Sequence, residues 1–105
     1  MNVNFTSSVR NLIVSVTGEL DQHNASYLRE QTDLKITHSN IKNLVFDFTN
    51  LDFMDSSGIG LVMGRYKNLK KSGATLNLTN LPSNIYKVMK LAGIEKLAKI
   101  DKGAK

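Results

Sequence analysis

The chain contains no cysteine. Disulfides, thiolate metal sites and thiol nucleophiles are therefore excluded. Histidine is scarce too: His23 and His38 are too few for a histidine-rich metal cluster. No apolar run approaches the roughly 18–20 residues of a membrane helix, and Met1-Asn2-Val3-Asn4 does not read as a signal peptide. A cytoplasmic protein with no membrane partner is expected. No repeat, low-complexity tract or linker interrupts the sequence. At 105 residues, a second folded unit would have no core of its own, so one domain over 1–105 is expected. The composition, 41% hydrophobic and 22% charged, is that of an ordinary globular chain.

Charge is present but uneven. The net +5 invites a nucleic-acid reading. Residues 1–55 hold the bases Arg10, Arg29, Lys35 and Lys42 against seven acids, a net of −3. Residues 56–105 hold ten bases against Glu95 and Asp101, a net of +8. Most of these bases are lysines at positions that fit the solvated faces of helices. Arg10, Arg29 and Arg65 are the only arginines, and no aromatic platform interleaves them. Direct DNA binding is not expected.

Periodicity alternates between 2 and 3.6 along the chain. Val3 and Phe5 suggest a first strand, followed by a turn at Ser7-Ser8. Leu12, Val14 and Val16 alternate in a second strand ending at Gly18. Ala25, Leu28, Thr32 and Ile36 recur at helical spacing, with Asp21 or Asn24 as N-cap. Leu44 to Phe48 is a buried-strand run. Ile59, Val62, Met63, Tyr66 and Leu69 mark a second helix, closed by Ser72-Gly73. Thr75 to Thr79 alternates as a strand. Pro82-Ser83 opens a third helix with Ile85, Val88, Met89 and Ala92 on its apolar face. Leu97 to Ile100 fits a last edge strand. The order β-β-α-β-α-β-α-β predicts an α/β fold: a small mixed sheet of four or five strands, a hairpin at its start, and helices mainly on one face. Phe46, Phe48, Val62 and Leu78 are the expected centre of the core.

The most informative segment is Asp52-Phe53-Met54-Asp55-Ser56-Ser57-Gly58-Ile59-Gly60, between the third strand and the second helix. Asp55 or Ser56 fits the N-cap, and Gly58 permits the tight turn. Ser57 then lies among the unpaired N–H groups of a helix start, where a phosphate is electrostatically welcome. A phosphoserine there would also meet Asp55 and Asp52, which resist it. Gly60 and Gly64 share one helix face. They either bring the helix close to the sheet, the favoured reading, or leave a flat strip for another protein. A nucleophile elbow and a P-loop are both missing. Asp52 and Asp55 are more often solvated loop acids than a cation site.

Asp55-Ser56-Ser57-Gly58-Ile59-Gly60 with Gly64-Arg65-Tyr66-Lys67 resembles the anti-sigma factor antagonists of the sporulation type, founding members of the STAS domain family. Thr17-Gly18-Glu19-Leu20-Asp21-Gln22-His23 and Leu51-Asp52-Phe53-Met54 resemble two further stretches of those proteins. The resemblance runs from about Val3 to Ile100. It implies a STAS-like domain that is a binding module rather than an enzyme, with no cofactor. The partners it implies are an anti-sigma factor that is a serine kinase and a PPM-type, metal-dependent serine phosphatase. On this resemblance the unphosphorylated chain binds the kinase and frees the sigma factor. Phosphorylation of Ser57 ends binding, and the phosphatase resets the switch. The implied partner surface is Asp21, Asp55, Ser56, Ser57, Gly58, Ile59 and Gly60. Other STAS domains serve stress-signalling complexes or transporters, or are discussed as nucleotide binders; Ser57 and the Gly-Arg-Tyr-Lys stretch favour the sporulation type.

Overall fold

A computed structural model describes residues 1–103. Strand β1 (Asn2–Ser8) turns back on β2 (Asn11–Leu20) as an antiparallel hairpin. The turn falls at Val9-Arg10, with Arg10 at φ 62°, and not at Ser7-Ser8, which are still paired in the ladder. Helix α1 (Gln22–His38) leads to β3 (Asn43–Asp47) and β4 (Leu51–Met54). Helix α2 (Ser56–Lys70), strand β5 (Thr75–Leu81), helix α3 (Ser83–Leu91), a single 3-10 turn at Ile94–Lys96 and β6 (Lys99–Lys102) complete the chain.

Among the described residues the sheet is mixed and has six strands in the order β1-β2-β3-β5-β6, with β4 paired to β2. All pairings after the hairpin are parallel. The strand the sequence reading lacked is β4. Its four residues are too few to show alternation, and Phe53 is half exposed. β2 is longer than expected because, beside β1, it serves two further strands along its other edge. Asn11–Ser15 pair with β3, and Gly18–Leu20 pair with β4. The register slips between Gly18 and Glu19, and Gly18 takes φ 94°, a value that only glycine adopts without strain.

One sheet face is buried. Leu12, Val14 and Val16 on β2, Leu44 and Phe46 on β3, and Leu76 and Leu78 on β5 point into the core. The alternate residues Ile13, Val45, Asn77 and Thr79 stay partly or fully open to solvent. This is the single covered face that the alternation predicts. Phe46 and Phe48 stack with their ring centres 5.7 Å apart. The helices meet this face through Leu28 and Thr32 of α1, Leu61, Val62 and Leu69 of α2, and Ile85 and Met89 of α3. Three expected core positions lie outside it: Met63, Val88 and Ala92 are exposed. On α2 the expected Val62 and Leu69 are buried, and Leu61 and Arg65 join them, Arg65 being only 6% exposed; Leu61, Arg65 and Leu69 are spaced by four.

Helix α1 is fixed at its start by a reciprocal cap. The Asp21 carboxylate accepts the N–H groups of His23 and Asn24, and Asn24 Oδ1 accepts the Asp21 N–H at 2.9 Å. Losing an N-cap acid costs about 1 kcal/mol. Asp21→Ala should therefore lower the urea midpoint by a corresponding amount with an unchanged slope. An unmoved midpoint would remove the cap from the list of stabilising contacts.

Candidate functional site

Two parallel strands end side by side, and each runs directly into a helix. Leu20 of β2 pairs with Met54 of β4. The next residue in each strand is an aspartate N-cap: Asp21 for α1 and Asp55 for α2. The Asp55 N–H donates to the Leu20 carbonyl at 3.2 Å, so the two caps are locked together. Both helix starts thus open at one edge of the molecule, each with its first N–H groups held by a carboxylate.

Asp55, rather than Ser56, is the cap. Its Oδ1 accepts the Ser57 backbone N–H at 2.8 Å, and its carbonyl accepts the Gly58 N–H at 3.0 Å. Ser56 is exposed and Ser57 half-buried. Gly58 is buried against Met54. A Cβ there would overlap Met54 Cγ and sit 2.6 Å from its Sδ, so the turn requires a residue without a side chain or a shift of Met54. Ile59 packs partly against the core, while Gly60 is exposed.

Ser57 lines a groove of about 390 Å³ between α1 and α2. Gln22, Ser26 and Arg29 stand on one side, and Gly60, Gly64 and Arg65 on the other. The favoured reading of the two glycines is corrected here. A Cβ at Gly60 or Gly64 would meet nothing within 4 Å, so neither is needed for close packing on the sheet. They form instead the bare floor of the groove.

Deeper in the seam, Arg65 Nε lies 2.8 Å from Asp33 Oδ1, which also accepts from Asn68 Nδ2 at 3.0 Å. The buried Arg65 Nη1 has no hydrogen-bond partner among the described residues. Burial lowers the Arg65 pKa, Asp33 opposes this, and the nearby Arg29 charge lowers it further. The guanidinium stays charged nonetheless.

Asp52 is not part of this groove. It lines a separate crevice of about 840 Å³ with Thr17, Asn50, Asn80 and Ser83. At its rim, burial pushes the Asp47 carboxyl up, but hydrogen bonds from the Thr49 hydroxyl, the Asn80 amide and the Thr49 N–H outweigh that and leave its pKa lowered. Ionised Asp47 therefore supports the fold above its ordinary pKa, and the contribution is lost as pH falls through the depressed value. Among the described residues no group of three or more His, Asp or Glu is placed to hold a metal ion.

The structure thus brings Asp21, Asp55, Ser56, Ser57, Gly58, Ile59 and Gly60 to one edge and leaves Asp52 elsewhere. The sequence reading did not single out Arg29, Arg65 or Gln22 as site residues. The Leu61-Arg65-Leu69 spacing was the available signal for Arg65.

A STAS domain family model matches residues 1–103. The chain belongs to the STAS domain family. It is 34% identical over 89 residues to an anti-sigma F factor antagonist of Paenibacillus polymyxa, covering 85% of this chain and 76% of that protein. It is 30% identical over 100 residues to an anti-sigma-B factor antagonist of Bacillus subtilis (strain 168), covering 95% and 90%. The anti-sigma factor antagonist SpoIIAA in its unphosphorylated form superposes with a TM-score of 0.85 at 26% identity, over 94% of this chain and 87% of SpoIIAA. SpoIIAA from Bacillus in its phosphorylated form gives 0.78 at the same identity, over 94% and 90%. Among the described residues no helix is long and apolar enough to cross a membrane.

Proposed function

We propose that this chain is an anti-sigma factor antagonist that acts in the cytoplasm as a binding module and not as an enzyme. Its unphosphorylated form binds an anti-sigma factor that is a serine kinase, and the sigma factor is released. The kinase then transfers the γ-phosphoryl group of ATP to the Ser57 hydroxyl, and the complex separates. A PPM-type phosphatase restores the serine.

The observation that carries this reading is the position of Ser57. It lies in the first turn of α2, partly accessible, with its backbone fixed by Asp55 and a second capped helix start alongside. A kinase can reach such a hydroxyl, and a partner covering that edge would cover the serine. The names of the relatives and the two phosphorylation states of SpoIIAA support the same assignment. Asp21, Asp55, Ser56, Ile59 and Gly60 form the contact surface with Ser57, and the buried Gly58 shapes the turn beneath it. A phosphate adds about −1.5 to −2 charges there, and placing that charge in a desolvated contact costs affinity.

Incubation with the cognate kinase and ATP, followed by mass spectrometry, tests the site. Phosphate is expected on Ser57 alone, Ser57→Ala should bind but remain unmodified, and Ser57→Asp should bind about tenfold or more weakly, a loss of ~1.4 kcal/mol. Phosphate on another residue, or no binding by the alanine variant, overturns the assignment.

A further inference from the structure

We infer that the groove between α1 and α2 is the seat of the phosphate carried by Ser57, with Arg29 as the side chain that receives it. The inference rests on the reading of Ser57 as the modified residue and adds to it where the phosphoryl group goes.

The first observation is geometric. Ser57 and Arg29 line the same groove. Gln22 lines it too, and Arg29 follows Gln22 by seven residues, about 10 Å along the axis of α1. Helical side chains tilt toward the helix N-terminus, and Gln22 lies at that end of α1. The α2 wall of the groove includes Gly60 and Gly64, which present no side chain and have open space where a Cβ would be. The Arg29 side chain is long and exposed, and a phosphoester lengthens the Ser57 side chain within the same groove.

The second observation is electrostatic and independent of the first. Along the seam two guanidinium groups, Arg29 and Arg65, face one carboxylate, Asp33, which is already shared between Arg65 and Asn68. Arg65 is 6% exposed; its Nε is ion-paired with Asp33, and its buried Nη1 has no hydrogen-bond partner among the described residues. The groove wall thus carries two cations against one carboxylate, with a donor unmet at Arg65 Nη1. At the other end, the acids nearest Ser57 are Asp21 and Asp55, and both already accept backbone N–H groups as caps. Glu30 and His23 are exposed positions of α1. A phosphoryl group on Ser57 is repelled by the two cap carboxylates and drawn along the groove toward Arg29. Arginine suits this role because its planar fork donates two parallel hydrogen bonds to a phosphate. Phosphorylation then does more than add charge at the helix start. It converts a cationic groove, available to acidic groups of a partner, into one already occupied.

The test installs phosphoserine at position 57 directly, by co-translational incorporation, so no kinase is needed. Phosphorus NMR then follows the titration of the phosphate in the otherwise unchanged chain, in Arg29→Ala, in Arg29→Lys, and in Lys67→Ala as an exposed cation of α2 outside the groove. A nearby cation favours the dianion and lowers the titration midpoint, which is about 6 for free phosphoserine. Arg29→Ala is expected to raise the midpoint by about 0.5 pH, the share left to an exposed pair of the larger shifts seen in buried ones. Arg29→Lys should recover part of the difference, and Lys67→Ala should change nothing. Equal midpoints with and without Arg29, or an equal shift in Lys67→Ala, overturn the proposal. Because the phosphate is placed synthetically, a failure here is separate from a failure of the kinase to modify Ser57.

Discussion

Phe46→Ala is expected to destabilise the chain by about 3–5 kcal/mol, the range for removing a buried aromatic ring. Phe46 is fully buried at the middle of the sheet. Its register partners are Val14 on β2 and Leu78 on β5, both also fully buried, and its ring stacks on Phe48. Alanine would leave a cavity walled by paired strands, which cannot collapse without breaking ladder hydrogen bonds. For a domain of this size, ~4–8 °C of melting temperature is lost per kcal/mol, so the midpoint should fall by about 15 °C or more. A total stability of roughly 5–15 kcal/mol would leave a partly folded population at best near the lower end. Val45→Ala is the control. Val45 is its neighbour in the same strand but faces the open side and is half-buried. Its truncation should cost about 1 kcal/mol or less. Similar losses at both positions, measured by thermal and urea unfolding, would contradict a single buried face.

That contrast also marks how far the sequence could be read. Alternation in Leu12, Val14 and Val16, and the apolar run around Phe46, identified the strands and the covered face because period 2 has one physical meaning there. Each cap was narrowed to two residues, Asp21 or Asn24 and Asp55 or Ser56, from their place just before periodic segments, and the structure selects the aspartate in both. Strand β4 was not legible. Its four residues are paired only through the second half of β2, an arrangement created by the Gly18 register slip, and no local pattern encodes that slip. The face of α2 was misread at Met63 because methionine scores as apolar wherever it lies. The true stripe passes through a charged residue, Arg65, which the hydropathy pattern rejects. The same blind spot hid the groove. Its floor is glycine, its walls are polar, and its width depends on how α1 and α2 lie against each other. The total charge of +5 was least informative of all. What matters at this edge is local: two arginines against one shared carboxylate.

Asp33→Ala addresses that imbalance. Arg65 is almost wholly buried, whereas the Asp33 side chain retains 32% of its exposure. Removing the acid strands a guanidinium whose other buried nitrogen already lacks a partner, and it also releases Asn68. Fully buried pairs lose about 3–5 kcal/mol when one partner is deleted. Water can reach the Asp33 side of this one, so a loss of about 2–3 kcal/mol is expected. Arg65→Met keeps the apolar stem packed between Leu61 and Leu69 and removes the charge. It should cost clearly less, because the ion left behind, Asp33, can be solvated. The double variant should then be more stable than Asp33→Ala alone, since the stranded cation has gone with its partner. This rescue separates charge from packing: a cavity effect would make the double variant the least stable of the three. Urea unfolding of the set decides between them. The pair also bridges α1 to α2 immediately beyond the Ser57 groove. Loss of Asp33 should therefore speed amide hydrogen exchange in the facing turns of both helices and leave the β1–β2 hairpin unchanged. Uniform acceleration across the sheet would show instead that the pair supports the whole fold and not the seam beneath the candidate site.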